Sequence, residues 1–349
     1  MNPFIDQTIT ANLILFALAA TGVWFAGSRL PLYADAIADR KRIGKAFIGL
    51  VFLAGATSLP EIVATLTASI AGEPKLVLGT LFGGITMQTA VLALADAFAG
   101  SSPLTRYPRK LSSALEATML ALMLALLLAI ATVGDFIFAF DLGLGTVVLG
   151  AAYAGTLFIL NRYEENETWQ PVEIPETTEE VVPGVATTAL DAVSLRGLML
   201  RFAGGSFVIL ICGLTLTGTA SALAEQTGLG ASFLGVTLLA WSTSLPEVTT
   251  TLAAVRIGAY TMAISNVFGS NLMMVALVFP ADLAFYGGPV LDSIDKTTTL
   301  ALVSGLAVTT IYLAGLLIRS NRRVGPVGVD SALVIVGYVL TVIAFYHLT

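Results

Sequence analysis

Thr57-Ser58-Leu59-Pro60-Glu61 recurs, residue for residue, as Thr243-Ser244-Leu245-Pro246-Glu247, and this pair of TSLPE pentapeptides decides the fold. Both sit inside long apolar stretches. Shifting the chain by 186 residues lays 57–98 on 243–284 without a gap. The match continues through Thr65/Thr251, Gly72/Gly258, Phe82/Phe268, Gly83/Gly269 and Asp96/Asp282. Chance similarity between apolar helices yields Leu and Ala matches, not an identical pentapeptide holding Pro and Glu. The chain therefore carries an internal repeat.

Outward from the motifs, ten apolar blocks fall at about 11–29, 47–71, 76–99, 112–133, 137–161, 199–223, 232–254, 259–282, 297–318 and 331–348. A membrane-spanning helix needs roughly 20 such residues. Of the 349 residues 56% are hydrophobic and 11% charged, whereas a soluble domain carries about 25% charged residues. The expected fold is an all-α membrane protein: ten transmembrane helices in two inverted five-helix repeats, with broken helices at the midplane. Residues 1–161 form the first half (repeat motif 54–98) and 199–349 the second (repeat motif 240–284). Residues 162–198 form an acidic linker with prolines at 171, 175 and 183. Five spans per half is an odd number, so the halves enter the bilayer in opposite directions. Inverted repeats with a site at their midplane interface are a secondary-transporter architecture.

Basic residues set the expected orientation. With the N-terminus outside, fifteen of the 17 Lys and Arg lie in cytoplasmic loops, and only Lys75 and Lys296 lie outside. Both termini are then outside and the linker is cytoplasmic, in a multi-pass protein of the inner (plasma) membrane. A signal peptide begins with a positive segment. Residues 1–10 hold no Lys or Arg, so the first span is expected to be retained. The single cysteine, Cys212, excludes an intramolecular disulfide, and the single histidine, His347, lies at the C-terminal edge. No HExxH motif is present, so neither a zinc peptidase nor histidine chemistry in the bundle fits.

Each motif glutamate is expected near mid-bilayer, where an ionised side chain costs roughly 2.5–3.5 kcal/mol on insertion scales. No Lys, Arg or His lies at comparable depth in the spans. The simplest missing partner is an exchangeable cation. Pro60 and Pro246 lack an N–H and crowd the carbonyl four residues back, which frees the carbonyls of Ala56 and Ser242 and predicts a helix break. Irregular backbone at that depth must be buried in protein or line a cavity. Carboxylates, freed carbonyls and the Thr57 and Thr243 hydroxyls are the oxygen donors that calcium, with its six to eight ligands, requires. The competing reading is a helix cap, because Ser58-x-x-Glu61 and Ser244-x-x-Glu247 both fit the capping box. Two such boxes in mid-membrane, in opposite orientations, favour a site. Gly79, Gly83 and Gly84, with Ser265, Gly269 and Ser270, are spaced for close helix packing. Gln88, Asn266 and Asn271 read as polar lining of a path or site. Asp96 and Asp282, near span ends, read as interfacial anchors.

At these residues the chain resembles the sodium/calcium exchanger superfamily of cation/Ca2+ antiporters. The family's G-T-S-L-P-E element appears as Ala56–Glu61 and Ser242–Glu247. Its G-N-x-x-G-S-N-x-x-N/D element appears in part as Asn266-Val267-Phe268-Gly269-Ser270-Asn271. The resemblance implies Glu61, Glu247, Thr57, Thr243, Ser58, Ser244, Ser270 and the carbonyls of Ala54 and Ala240 as cation ligands, with Gln88 and Asn271 beside them. Gly84 stands where the family has serine, Gln88 where it has Asn, and Met274 where it has Asn or Asp. A thioether is a poor ligand for a hard cation, so the flanking monovalent sites are depleted. The expected function is alternating-access antiport of Ca2+ for Na+ at a paired-glutamate site. A proton-coupled divalent exchanger and a non-transporting homologue are the alternatives. Spans one and six, without midplane carboxylates, are the expected sliding elements. No enzyme activity, cofactor, nucleic acid or obligatory protein partner is expected. The partners are inorganic cations and the lipid bilayer.

Overall fold

A computed structural model describes residues 3–139, 142–164, 190, 192–227 and 233–348, with side chains at 139, 164, 224, 233–243 and 348 left out of the description. Most of the acidic linker lies outside the described residues, as do the side chains of Ala240 and Thr243. The long helices are α1 (Ile9–Gly27), α2 (Leu30–Lys41), α3 (Lys45–Thr57), α4 (Leu59–Ile70) and α5 (Pro74–Ala95). They continue with α6 (Ser112–Val133), α7 (Leu144–Glu164), α8 (Leu195–Gln226), α9 (Phe233–Arg256), α10 (Tyr260–Ala276), α11 (Val278–Ala284), α12 (Lys296–Ile318) and α13 (Val329–Leu348). Among the described residues eight helical spans are long and apolar enough to cross a membrane, and the bent pair α3–α4 makes a ninth. Helix α9, 24 residues long and carrying the second TSLPE, completes the ten.

The centre of the bundle is α5 and α10, the helices that follow the two motifs. Of the most apolar window of α10–α11, 83% is buried, against 17% for α1–α2. Leu78, Leu81, Phe82 and Ile85 of α5 meet Ile264, Val267, Phe268 and Leu272 of α10 in one core cluster. Helix α1 packs along α8 on the outside, and both leave rows of large apolar side chains exposed, as a lipid-facing surface requires.

The two motif helices differ. In the first repeat the helix bends by 53° between α3 and α4. Residues Ile48–Leu53 are wound as a π-helix, Ser58 leaves the helical region (φ −85, ψ 5), and Pro60 falls in the first turn of α4, where its missing N–H costs nothing. In the second repeat the expected break is absent, and α9 runs as one helix through Pro246. Proline removes a donor without forbidding helical φ, so a helix lacking the π-wound lead-in of α3 can continue past it.

Two further departures come from turn chemistry. The fifth span starts at Leu144 rather than 137, because Ile137–Ala139 pairs with Leu142–Gly143 in a short hairpin. Its counterpart, Arg323–Val324 with Val327–Gly328, precedes α13. Between the first two spans the chain forms α2, an amphipathic helix whose Asp35 pairs with Lys45 at 2.9 Å.

Asp96 and Asp282 are not anchors at the lipid surface. They are buried, 0% and 2% exposed, and each ties one half of the chain to the other. Asp96 accepts the N–H of Leu104 at 2.5 Å and, across the halves, that of Gly328 in the second hairpin at 2.6 Å. Asp282 accepts the N–H of Val290 at 2.7 Å and that of Gly143 in the first hairpin at 2.8 Å, with the Thr146 hydroxyl at 2.6 Å. The repeat is thus visible in its hydrogen bonds: one aspartate per half closes a loop eight residues on and clasps the hairpin of the other half. Leaving a buried N–H without a partner costs about 1–3 kcal/mol. Asp96→Ala and Asp282→Ala, each orphaning two, are expected to lower thermal stability in detergent by at least about 2 kcal/mol. The exposed Asp6→Ala is expected to stay within about 0.5 kcal/mol. Fluorescence melting curves of the three variants check this.

Candidate functional site

The α3–α4 break and the middle of α9 face each other beside α10, which brings both motifs to one buried place. Thr57, Ser58 and Glu61 come from the first repeat and Ser244, Glu247 and Ser270 from the second, all buried. The approach depends on α10 being thin where it crosses α3. A Cβ at Gly269 would lie 2.5 Å from the Leu50 carbonyl oxygen and 2.7 Å from its Cα. Facing it, a Cβ at Gly49 would lie 2.7 Å from the Met262 carbonyl oxygen. Backbone therefore touches backbone, and the next residue of α10, Ser270, is delivered to the break.

Ser270 is the hub of a hydroxyl cluster. Its Oγ lies 3.1 Å from the Ser58 hydroxyl and 3.5 Å from that of Thr57. Ser58 also lies 3.5 Å from Glu247 Oε1. Ser58 makes no side-chain cap to its own helix, so in the first repeat the capping-box reading gives way to a contact across the repeats. The Ala54 carbonyl accepts from the Ser58 N–H at 2.9 Å and the Thr57 hydroxyl at 3.1 Å. Its lone pairs are engaged, and coordination there requires the Thr57 hydroxyl to turn away.

Glu61 lies one turn beyond Ser58, whose hydroxyl is 3.5 Å from Glu247 Oε1, so both buried carboxyl groups border the break. Neither oxygen of Glu61 has a hydrogen-bond partner among the described residues, and Glu247 keeps Oε2 without one. Glu61 lines a cavity of about 120 Å³ with Pro60 and Thr65 of α4, Val77 and Thr80 of α5, and Thr217 and Ser221 of α8. That is room for several waters or a partly hydrated ion. Among the described residues no Lys, Arg or His lines it. A buried carboxylate without a partner is costly, and here two are held together.

The amides divide. Asn266 bonds the Thr250 and Thr251 hydroxyls at 3.2 and 3.3 Å, clamping α10 to α9. Asn271 bonds Thr89 of α5 at 3.2 Å and leaves Oδ1 unpartnered. Gln88 is buried with neither amide atom partnered among the described residues. Sequence reasoning missed Glu116 of α6, which is buried and accepts the Ser265 hydroxyl at 2.8 Å. A lone acidic residue in an otherwise apolar span is itself a signal, but no repeat marks it.

Comparison with known proteins decides the family. The model of the sodium/calcium exchanger protein family matches residues 11–161 and 197–347. The chain belongs to that family. It is a membrane transporter of inorganic cations, an exchanger-type antiporter and not an enzyme. Among its relatives, CaxA of Alkalimonas amylolytica, assigned as an antiporter, is 26% identical over 311 residues, 87% of this chain and 90% of the relative. Inner membrane protein YrbG of Escherichia coli (strain K12) is 26% identical over 275 residues, 77% of each chain. Sodium/calcium exchanger MaX1 of Methanosarcina acetivorans is 32% identical over 91 residues, 26% of each. The sodium-calcium exchanger NCX_Mj, soaked with 10 mM Na+ and zero Ca2+, shares the fold with a TM-score of 0.71. The likeness covers 97% of this chain and 99% of that one at 18% identity.

The Gly269 crossing yields a prediction. Gly269→Val would drive a branched side chain into the Leu50 backbone, which cannot yield. Overpacking costs about 1–3 kcal/mol in a core that can adjust, and this variant is expected at or above the top of that range. The exposed Gly155→Ala serves as control. Thermal melting and the yield of monodisperse protein in detergent measure the difference.

Proposed function

We propose that this protein exchanges Ca2+ for Na+ across the inner (plasma) membrane by alternating access at the Glu61–Glu247 site. The observation that carries the reading is two buried carboxyl groups, one from each repeat, at one break in the bundle, with no basic side chain beside them among the described residues. Their ligand set is completed by Thr57, Thr243, Ser58, Ser244 and Ser270, by the carbonyls of Ala54 and Ala240, and by Gln88 and Asn271. The relatives named as sodium/calcium exchangers support both ions.

Electrostatics enforces exchange. The empty site carries two negative charges and crosses between states poorly. One Ca2+, or two monovalent cations, neutralises it and lowers the barrier. The paired helices α1 and α8 are the sliding elements. They are apolar, lie largely on the periphery, and meet the core through glycines: Gly213 of α8 rides on Pro60, where a Cβ would lie 2.4 Å from Cγ. With both termini outside, the Glu61 cavity, near the turn between α4 and α5, is the extracellular entrance.

The test is 45Ca2+ uptake into proteoliposomes under an outward sodium gradient and, separately, a pH gradient. Sodium-driven uptake in the parent is expected to fall at least about 100-fold in Glu61→Gln and Glu247→Gln, the loss of a charge-assisted contact worth roughly 3 kcal/mol. Uptake in both variants equal to the parent rejects the site, and uptake driven by pH alone makes the proton the counter-ion.

A further inference from the structure

The two hairpins are counterparts under the 186-residue shift. In each, the residue before the first strand accepts a bond from the helix that follows. The Leu144 N–H donates to the Phe136 carbonyl at 2.7 Å, and the Val329 N–H to the Arg322 carbonyl at 3.2 Å. Each hairpin is also clasped by a buried aspartate of the other half, Asp282 on Gly143 and Asp96 on Gly328. The scaffold is the same, but the side chains it displays are not. Phe136, Ile137 and Phe138 stand exposed on the first hairpin. At the matching positions the second presents Arg322, Arg323 and Val324, exposed as well.

The corner around these arginines shows one sign of charge. Among the described residues neither pairs with a carboxylate. Arg323 donates to the carbonyls of Gly100 and Ala99, at 3.3 and 3.4 Å, which leaves its charge unmatched. The acidic residues of this corner are turned inward. Asp96 is buried, and Asp330 accepts the Thr105 hydroxyl at 2.6 Å while packing where Gly315 has no side chain. Beside the hairpin, the last turn of α12 exposes Leu317 and Ile318, and the start of α13 exposes Leu333. Paired guanidinium groups next to an apolar step match a phosphate head with its hydrocarbon chains. Basic residues that serve orientation alone need no such step, and no matched exchange of Phe and Ile for Arg.

We propose that Arg322 and Arg323 hold the headgroup phosphate of an anionic phospholipid whose chains lie along Leu317, Ile318 and Leu333. In the orientation proposed above, the arginine hairpin lies at the cytoplasmic leaflet, whose surface is negative. The aromatic hairpin then meets the opposite interface with an apolar edge. Through Gly328 and Asp96 the bound lipid braces the seam between the halves. The inference stands whichever ions are exchanged.

Titration of dioleoyl phosphatidylglycerol and dioleoyl phosphatidylcholine into purified protein in detergent, read by native mass spectrometry, tests it. The parent is expected to bind phosphatidylglycerol at least about tenfold more tightly than phosphatidylcholine. Arg322→Gln/Arg323→Gln is expected to weaken phosphatidylglycerol binding about 25-fold, roughly fivefold per arginine, and to leave phosphatidylcholine unchanged. Arg322→Gln alone keeps the Arg323 contacts with the Gly100 and Ala99 carbonyls, and is expected to weaken binding about fivefold without loss of fold. Lys41→Gln/Arg42→Gln, an equal loss of exposed charge at the end of α2, is expected to stay within about twofold. Phosphatidylglycerol is also expected to raise the melting temperature of the parent and not that of the double hairpin variant. Equal affinity of the parent for the two lipids overturns the proposal. So does an equal fall in the α2 control, which would make the attraction diffuse. Displacement of the lipid by millimolar inorganic phosphate would mark a free-anion site and overturns it too.

Discussion

Two buried glutamates, one from each repeat, bordering a cavity that no described basic side chain lines, are the constraint around which the rest of the molecule is arranged. Each carries a desolvation cost, and each raises the cost of the other. Helices can tolerate that pairing only where water or ions reach it and where neighbouring backbone is held apart by something rigid. The break at Ser58 supplies the first condition, opening α3 from α4 so that Glu61 lines a cavity. The glycine crossing of α10 over α3 supplies the second, holding Ser270 against the break with no side chain between the helices.

Much of this could be read before any coordinates. The ten spans, the repeat and the motif residues follow from a gapless self-match and from apolar length. What could not be read was pairing across the repeats. Asp96 and Asp282 stood out as a matched pair, but their partners Gly328 and Gly143 lie in hairpins that periodicity does not mark. The Ser58 hydroxyl looked like a helix cap because local spacing permits one, while tertiary contact with Ser270 took it elsewhere. Pro246 predicted a break that α9 does not make, since proline weakens a helix without obliging it to stop. Glu116 had no repeat partner to draw the eye, and its bond to Ser265 joins helices far apart in sequence.

Symmetry and its loss share the work between them. The aspartate clasps keep the two-fold relation almost atom for atom, as elements that carry only structure can. The carboxylate pair keeps it in the charges but not in the hydroxyls, where Gly84 faces a thioether and Ser270 faces Ser58. A duplicated fold thereby surrounds its two motif glutamates with unlike side chains through a change at very few positions.

The clasps also bear on how the protein is made. Asp96 and Gly328 are 232 residues apart, so the donor is synthesised long after its acceptor. At about 5–20 residues per second the interval is roughly 10–50 s. For that time the first half stands in the bilayer with the carboxylate of Asp96 lacking its distant donor, while Gly143 waits for Asp282. Neither half is a finished domain that docks onto the other. The Asp96 clasp closes only when the hairpin at 323–328 arrives, so a nascent chain cut short before Gly328 would leave quality-control machinery an open polar seam in the membrane to recognise.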